Sequence, residues 1–463
     1  MQKIVRLLLS AMLSLVLVAC GGKGDSAPPP RDFAVIPGDG QVTLTWTPTS
    51  GVDYWIFWAP GTLTNGQDFT QVGGHRSLSQ VSQPSILPFV NANATYTYSV
   101  DGRIGNAPGG PKATYKYALA RPAGNTWSAA TKSPNLELKA VTFGIDSGGS
   151  YQFLAVGSGG GVFSKNSFDT DDTYSNTDGV TTTGNWTWNA VNSANIGSAN
   201  LTATTYIANQ FLVADDSGKI YSSSDLSSWS TPISLPSAAR VNAMASNVSF
   251  SSTGASGTAV VAVGNGGAIW YAPNGTDWAS PTYVSTGKNL LGVTYANGYW
   301  IAVGEDLNIW YSQDATNWSQ AGGFTNTHET LYGVAYRPAL SVNPINGSSV
   351  SYPAQYVFVG AGGRYLSALD VTSSVTSNWT SGTVNTAATF TAVTATSSQF
   401  LAVDNAGNSF TLVDGLSWGS PVASSTAGLN SVINTMGLAA TNSRYITARY
   451  VSVGTNGKIV YSR

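Results

Sequence analysis

Five carboxylates and one histidine stand where chemistry is easiest to place. Asp215, Asp216, Glu305, Asp306 and Asp404 each follow an apolar run and open a short polar step, and His328 lies in a polar stretch beside Glu329. Two facing carboxylates can divide the acid and base roles of glycoside hydrolysis, and carboxylate oxygens can hold a hard cation. Tight turns prefer the same residue types, because a short Asp side chain accepts backbone N–H bonds locally. Asn265 and Asn456 hold the same kind of position, with Arg240 and Lys288 in neighbouring loops. The chain has 2 His and 1 Cys. It shows no His/Cys metal spacing, nucleophile elbow or phosphate loop, so no metal or cofactor is expected.

Whatever these side chains do, the elements around them must position them. "FLAVGSGGGVFS" at Phe153 recurs as "FLVADDSGKIYS" at Phe211, "VVAVGNGGAIWY" at Val260 and "WIAVGEDLNIWY" at Trp300. Further copies begin at Tyr356, Phe400 and Tyr450. Each copy reads as strand, Gly/Asn/Asp turn, strand. Another strand precedes each one, for example "LKAVTFG", "LLGVTYA" and "LNSVINT". A Trp-bearing strand follows most of them, at Trp186, Trp229, Trp278, Trp318, Trp379 and Trp418. Four strands per unit at a spacing of about fifty residues predict an all-β, seven-bladed β-propeller over residues 123–463. The seventh copy ends at Arg463 without its Trp strand, while "NTWSAAT", with Trp127, precedes the first. That N-terminal strand is expected to close the ring by pairing the last blade and covering its open edge.

"SSDLSSW", "APNGTDW", "SQDATNW" and "LVDGLSW" place Asp225, Asn274, Asp314 and Asp414 four residues before Trp229, Trp278, Trp318 and Trp418. This pattern resembles the Asp-box of sialidase-type propellers. The resemblance implies a structural role at the blade periphery, with the carboxylate fixing a turn and the Trp covering the gap between blades. A sialidase site would also need three Arg on one face with a Tyr–Glu pair and an Asp. Arg240, Arg337, Arg364, Arg444, Arg449 and Arg463 do not assemble one. The repeat also resembles the propellers of photosystem assembly factors, which implies a protein-binding platform, although their basic patch is not evident. "DTDDTYSNTDG", residues 169–179, lacks the closing Glu of an EF-hand loop and reads as a solvated insertion.

Before the propeller, "FAVIPGDGQVTLTWTPTSGVDYWIFWAP" alternates apolar and polar residues. With "ATYTYSVDGRIGNAPGGPKA" it resembles a fibronectin type III β-sandwich over residues 31–122. The resemblance implies that Trp46 packs on Tyr54 and that Tyr96 or Tyr98 forms the corner. Residues 1–20 join Lys3 and Arg6, the apolar stretch Leu7–Val18, and "LVAC" ending at Cys20. They resemble a lipoprotein signal and lipobox, which implies lipid attachment at Cys20. "GGKGDSAPPP", residues 21–30, reads as a flexible tether. Gly21 in place of Asp implies the outer membrane.

Net charge is −2 and charged residues are 10%, so no basic face for nucleic acid is expected. The expectation is a lipid-anchored envelope protein whose propeller binds protein or glycan without catalysis. The alternative is a glycan-active enzyme of sialidase-like or glucanase-like propeller type. Here Asp215, Asp216, Glu305, Asp306, Asp404 and His328 would line the ligand face.

Overall fold

The computed structural model describes residues 27–463 except 39–40, 77–80, 82–84, 89–94, 120–123, 131, 133–134, 167–171, 176–178, 183–185, 192, 208, 238, 252–253, 285–286, 325–327, 343–349, 385–388, 397–398, 413–416, 436–448 and 463. Cys20, the expected signal segment, the start of the expected tether, Asp414 and Arg444 lie outside the described residues.

The repeats fold into seven four-stranded antiparallel sheets. In the first sheet the strand order is Leu138–Ile145, Tyr151–Gly157, Val162–Asn166 and Asn189–Ala190. The second strand of each sheet carries the most apolar run. Val260–Gly264 and Phe400–Asp404 are buried at every position. A strand apolar on both faces needs a packing layer on each side.

Seven apolar clusters supply those layers, each shared by two successive sheets. Leu154 and Val156 of the first sheet pack with Phe211, Tyr221 and Trp229 of the second. Val451, Val453 and Ile459 of the seventh meet Phe153, Phe163 and Trp186 of the first, with the Trp186 and Tyr461 rings 4.2 Å apart. The first strands are neighbours in sequence order, and Leu429–Thr435 of the seventh sheet lies beside Leu138–Ile145. Side chains link these strands: Asn242 Nδ2 donates to the Leu290 carbonyl at 2.8 Å, and Thr391 Oγ1 to the Leu429 carbonyl at 2.7 Å.

The fourth strand of the seventh sheet is Trp127–Ala129. It pairs antiparallel with the chain end, Ser462 opposite Trp127 and Val460 opposite Ala129. The Trp127 indole N–H points to the Gly124 carbonyl at 2.7 Å and to Ser409 Oγ of the sixth sheet at 2.9 Å. Its ring packs in one cluster with Leu401, Val403 and Tyr450.

Upstream, residues 31–119 form two further sheets. One has three strands, Arg31–Gly38, Gln41–Thr47 and Ser85–Pro88, and the other has four, His75–Arg76, Asp53–Pro60, Thr95–Arg103 and Lys116–Leu119. Val42, Leu44, Trp46, Ile56, Tyr96 and Val100 belong to a separate core, where the Trp46 and Tyr54 rings lie 5.3 Å apart. Among the described residues the buried Tyr98 hydroxyl has no hydrogen-bond partner, so it makes no corner bond. Ala27 and Pro30 are buried. A Cβ on Gly110 would fall 2.0 Å from the Ala27 carbonyl oxygen, so the end of the tether lies directly on this core.

Three hairpins interrupt the repeat: Ser249–Ser251 with Gly254–Ser256, Leu340–Val342 with Val350–Tyr352, and Asp172–Ser175 with Gly179–Thr182. They join first to second strands, or third to fourth, so the antiparallel alternation puts all three at the same end of the sheets. Phe250 on the first of them stacks on Tyr206 at 5.8 Å and meets Phe143 at 5.7 Å. The buried Arg337 guanidinium lies over the Tyr352 ring at 5.1 Å and the Phe400 ring at 5.2 Å. Gly179–Thr182 lies beside Arg31–Gly38 and Lys116–Leu119, so this strand pair meets the upstream sheets.

Candidate functional site

The hairpins between second and third strands share one hydrogen bond. A turn N–H donates to the carbonyl just before the first strand of its own sheet. The pairs are Ser158 to Glu137, Asp216 to Asn200, Asn265 to Arg240, Glu305 to Asn289, Ala361 to Thr330, Asn405 to Thr389 and Thr455 to Gly428, all within 2.9–3.1 Å. In five hairpins the preceding residue is Gly157, Gly264, Gly304, Gly360 or Gly454, where a Cβ would fall 1.8–2.2 Å from that same carbonyl oxygen. Asp215 and Asp404 hold this position in the other two. Asp215 Oδ1 accepts from the Ser217 N–H, the Ser217 hydroxyl and the Lys219 N–H at 2.8–2.9 Å, and Oδ2 accepts from the Tyr221 hydroxyl at 3.1 Å. Asp404 Oδ1 accepts from the Ala406 and Asn408 N–H groups, and Oδ2 from Asn408 Nδ2 at 2.9 Å. Both carboxylates are buried and face their own turns.

The remaining candidates divide in two. Asp216 is exposed at the second sheet and accepts from Asn200 Nδ2 at 3.3 Å. Glu305, Asp306 and His328 gather between the fourth and fifth sheets. Glu305 accepts from the Asn289 N–H and from Asn289 Nδ2, each at 3.0 Å. Asp306, at φ 57°, pairs with Lys288 Nζ at 2.8 Å. The Lys288 hydrogen bond holds the Asp306 carboxyl below its ordinary value, and Asp306 in turn raises the Lys288 pKa. Beside exposed His328, Glu329 pairs with Arg364 at 3.2 Å. The result is two ion pairs at one end of the fourth and fifth sheets.

At the opposite end the carboxylate–Trp pattern builds turns. Asp225 Oδ1 accepts from the Ser227 and Ser228 N–H groups at 2.8 Å, and Asp314 Oδ1 from those of Thr316 and Asn317 at 2.9 and 2.8 Å. Asn274 Oδ1 does the same for Thr276 and Asp277. Leu226 (φ 61°), Gly275 (φ 77°) and Ala315 (φ 63°) take the left-handed conformation next to each acceptor. Ser223 Oγ and Ser312 Oγ secure the Leu226 and Ala315 N–H groups at 2.9 Å. The backbone hydrogen bonds push the Asp225 pKa down to about 2. The Trp indoles lie between sheets: Trp229 with the first, Trp278 with the second, Trp318 with the third and Trp418 with the fifth. Trp188, buried beside Trp186, is a core residue the repeat pattern did not reveal.

Grooves open beside these turns. One, of about 340 Å³, includes Gln152, Ser164 and Asp225. Another, of about 380 Å³, includes Tyr299, Tyr311, Asp314 and Asn317. Sequence reasoning missed the second. Its signal was the replacement of small polar residues by Tyr at equivalent places in the repeat.

No protein-family model matches the chain, and no curated protein matches it. Solved structures do. A structure described as "YCF48 bound to D1 peptide" superimposes with a TM-score of 0.50 at 12% identity, covering 73% of this chain and 94% of that one. YCF48 from Cyanidioschyzon merolae gives 0.47 at 14% identity, covering 72% and 98%. The WD40 β-propeller domain of Doa1 gives 0.48 at 10% identity, covering 73% and 95%. At such identities the likeness shows the fold alone: the chain is an all-β protein with a β-propeller.

Proposed function

We propose that the chain is a lipid-anchored envelope protein whose propeller is a non-catalytic binding platform for a protein partner. In this reading the seven sheets are seven blades, closed by Trp127–Ala129. Residues 31–122 form a fibronectin type III-like spacer, residues 21–30 a tether, and Cys20 carries the lipid at the outer membrane. The three-plus-four strand order upstream supports the spacer. The cluster shared by the last and first sheets supports closure.

One observation carries the functional reading. Of the five candidate carboxylates, Asp215 and Asp404 are buried and hold their own hairpins by three or more hydrogen bonds each, and Asp306 is paired with Lys288. A glycosidase needs a carboxylate free to protonate a leaving group and another to meet the sugar. What the hairpin end offers is the two ion pairs Lys288–Asp306 and Glu329–Arg364, whose charged groups suit recognition of a complementary protein surface. The other end carries the three inserted hairpins. The YCF48 structure with a D1 peptide gives a propeller precedent for peptide binding.

The test has two arms. The full chain is screened on chromogenic glycosides, where turnover abolished by Glu305→Ala or Asp306→Ala would overturn the reading. Envelope partners are then captured on the wild type and on Lys288→Glu/Arg364→Glu. The expected result is a protein retained by the former and lost from the latter.

A further inference from the structure

The strand residues that line the two grooves, Gln152 with Ser164 and Tyr299 with Tyr311, are equivalent by register. The same two positions, one in the second strand and one in the third, recur in every sheet, and in the fifth, sixth and seventh at least one of the two residues is buried. These pairs are Gln152/Ser164, Gln210/Ser222, Ala259/Tyr271, Tyr299/Tyr311, Gln355/Ser367, Gln399/Thr411 and Arg449/Tyr461. Four sheets use Gln with a small hydroxyl residue, so the fold does not need rings there. Only the fourth has Tyr at both places. Those rings meet edge to face at 6.0 Å and 75°, each partly buried against the fifth sheet and partly open to the groove.

We infer that this groove between the fourth and fifth sheets is a binding site for an uncharged oligosaccharide. The Tyr rings offer flat faces to the C–H surface of a pyranose. Gln313, Asn317, Ser319 and Thr372 line the same space with amides and hydroxyls, which donate and accept as sugar hydroxyls require. The groove's carboxylate, Asp314, already accepts from Thr316 N–H, Asn317 N–H, Ser312 Oγ and Asn317 Nδ2. Its oxygens are therefore largely taken up by its own turn. A volume of about 380 Å³ falls at the small end of ligand pockets and suits one or two sugar rings. With Asp314 as the one carboxylate among the described lining residues, the groove holds sugar without cleaving it.

The inference takes from the proposed function only its non-catalytic character, and the site lies at the opposite end from Lys288 and Arg364. Loss of a protein partner through those residues would leave it untouched. The test is calorimetric titration of the full chain with cellotetraose, laminaritetraose and chitotetraose. Saturable binding of at least one is expected. The variant Tyr299→Gln/Tyr311→Ser installs residues the fold already uses in its first, second and fifth sheets. It should weaken binding at least about tenfold while melting like the wild type. Should the double variant fail to fold, Tyr299→Gln alone provides the comparison. Absence of binding to all three sugars at about 10 mM, or undiminished binding by the folded variant, overturns the inference. So does Tyr-dependent binding of a polyproline peptide without any sugar binding.

Discussion

The side-chain amide of Asn430 donates to the main-chain carbonyl of Leu138 at 2.6 Å, across 292 positions of sequence. It joins the first strand of the seventh sheet to that of the first. Asn242 and Thr391 make the corresponding link between sheets that are adjacent in the chain. The seam between chain ends thus uses the same device as seams formed by consecutive repeats.

The seventh sheet is also tied to the sixth by Trp127, whose indole N–H donates to the Gly124 carbonyl and to Ser409 Oγ. Trp127→Ala should cost about 3 kcal/mol, the low end for a Trp truncation because the ring is only partly buried. Chaperone-free denaturant titration measures it. A chain starting at residue 134 should melt well below one starting at residue 123, and equal melting would mean the strand contributes nothing.

Gly360→Ala should destabilise by about 1–3 kcal/mol, because the added Cβ would sit 2.0 Å from the Thr330 carbonyl oxygen and force the backbone apart. The denaturation midpoint reports it. An unchanged midpoint would show that the loop before the fifth sheet yields freely.

Asp225 has a folded-state pKa lowered to about 2, against about 3.9 for a free Asp. The unfolded chain therefore binds more protons between these values, and stability rises with pH across that window. The contribution is present above pH 4 and lost as pH falls toward 2. Asp225→Asn should melt near the wild type at pH 7, since Asn274 performs the same task in the third sheet, yet show a shallower acid slope. Identical acid slopes in the two proteins would contradict this account.

Cys20→Ser should release the chain from membranes or leave an uncleaved precursor. Metabolic palmitate labelling with membrane fractionation checks it, and unchanged labelling would rule out lipidation at Cys20.

The repeat made the sheets legible, because each apolar run with its Gly turn had to be buried on both sides. Trp127 was legible for a related reason: one repeat lacked a strand and one strand lacked a repeat. The site was harder to read. Asp215 and Asp404 look like acids in the sequence, but they occupy the place of Gly157 and Gly264, and only the hydrogen bonds show what they replace. The meeting of Asp306 with His328 depends on two loops 22 residues apart lying at one end of neighbouring sheets. The inserted hairpin carrying Phe250 broke the period, and nothing local announced that its ring would reach Phe143 and Tyr206.

The strand that completes the seventh sheet also has a mechanical consequence. It is entered directly from the upstream sheets and is held by the pairing of Trp127, Ser128 and Ala129 with Ser462, Tyr461 and Val460. Tension that passes through the upstream sheets is therefore delivered to these three residue pairs before any other sheet of the repeat bears load. Such force would peel this strand from the seventh sheet at one defined place, leaving six sheets whose strands are contiguous in the chain to resist afterwards.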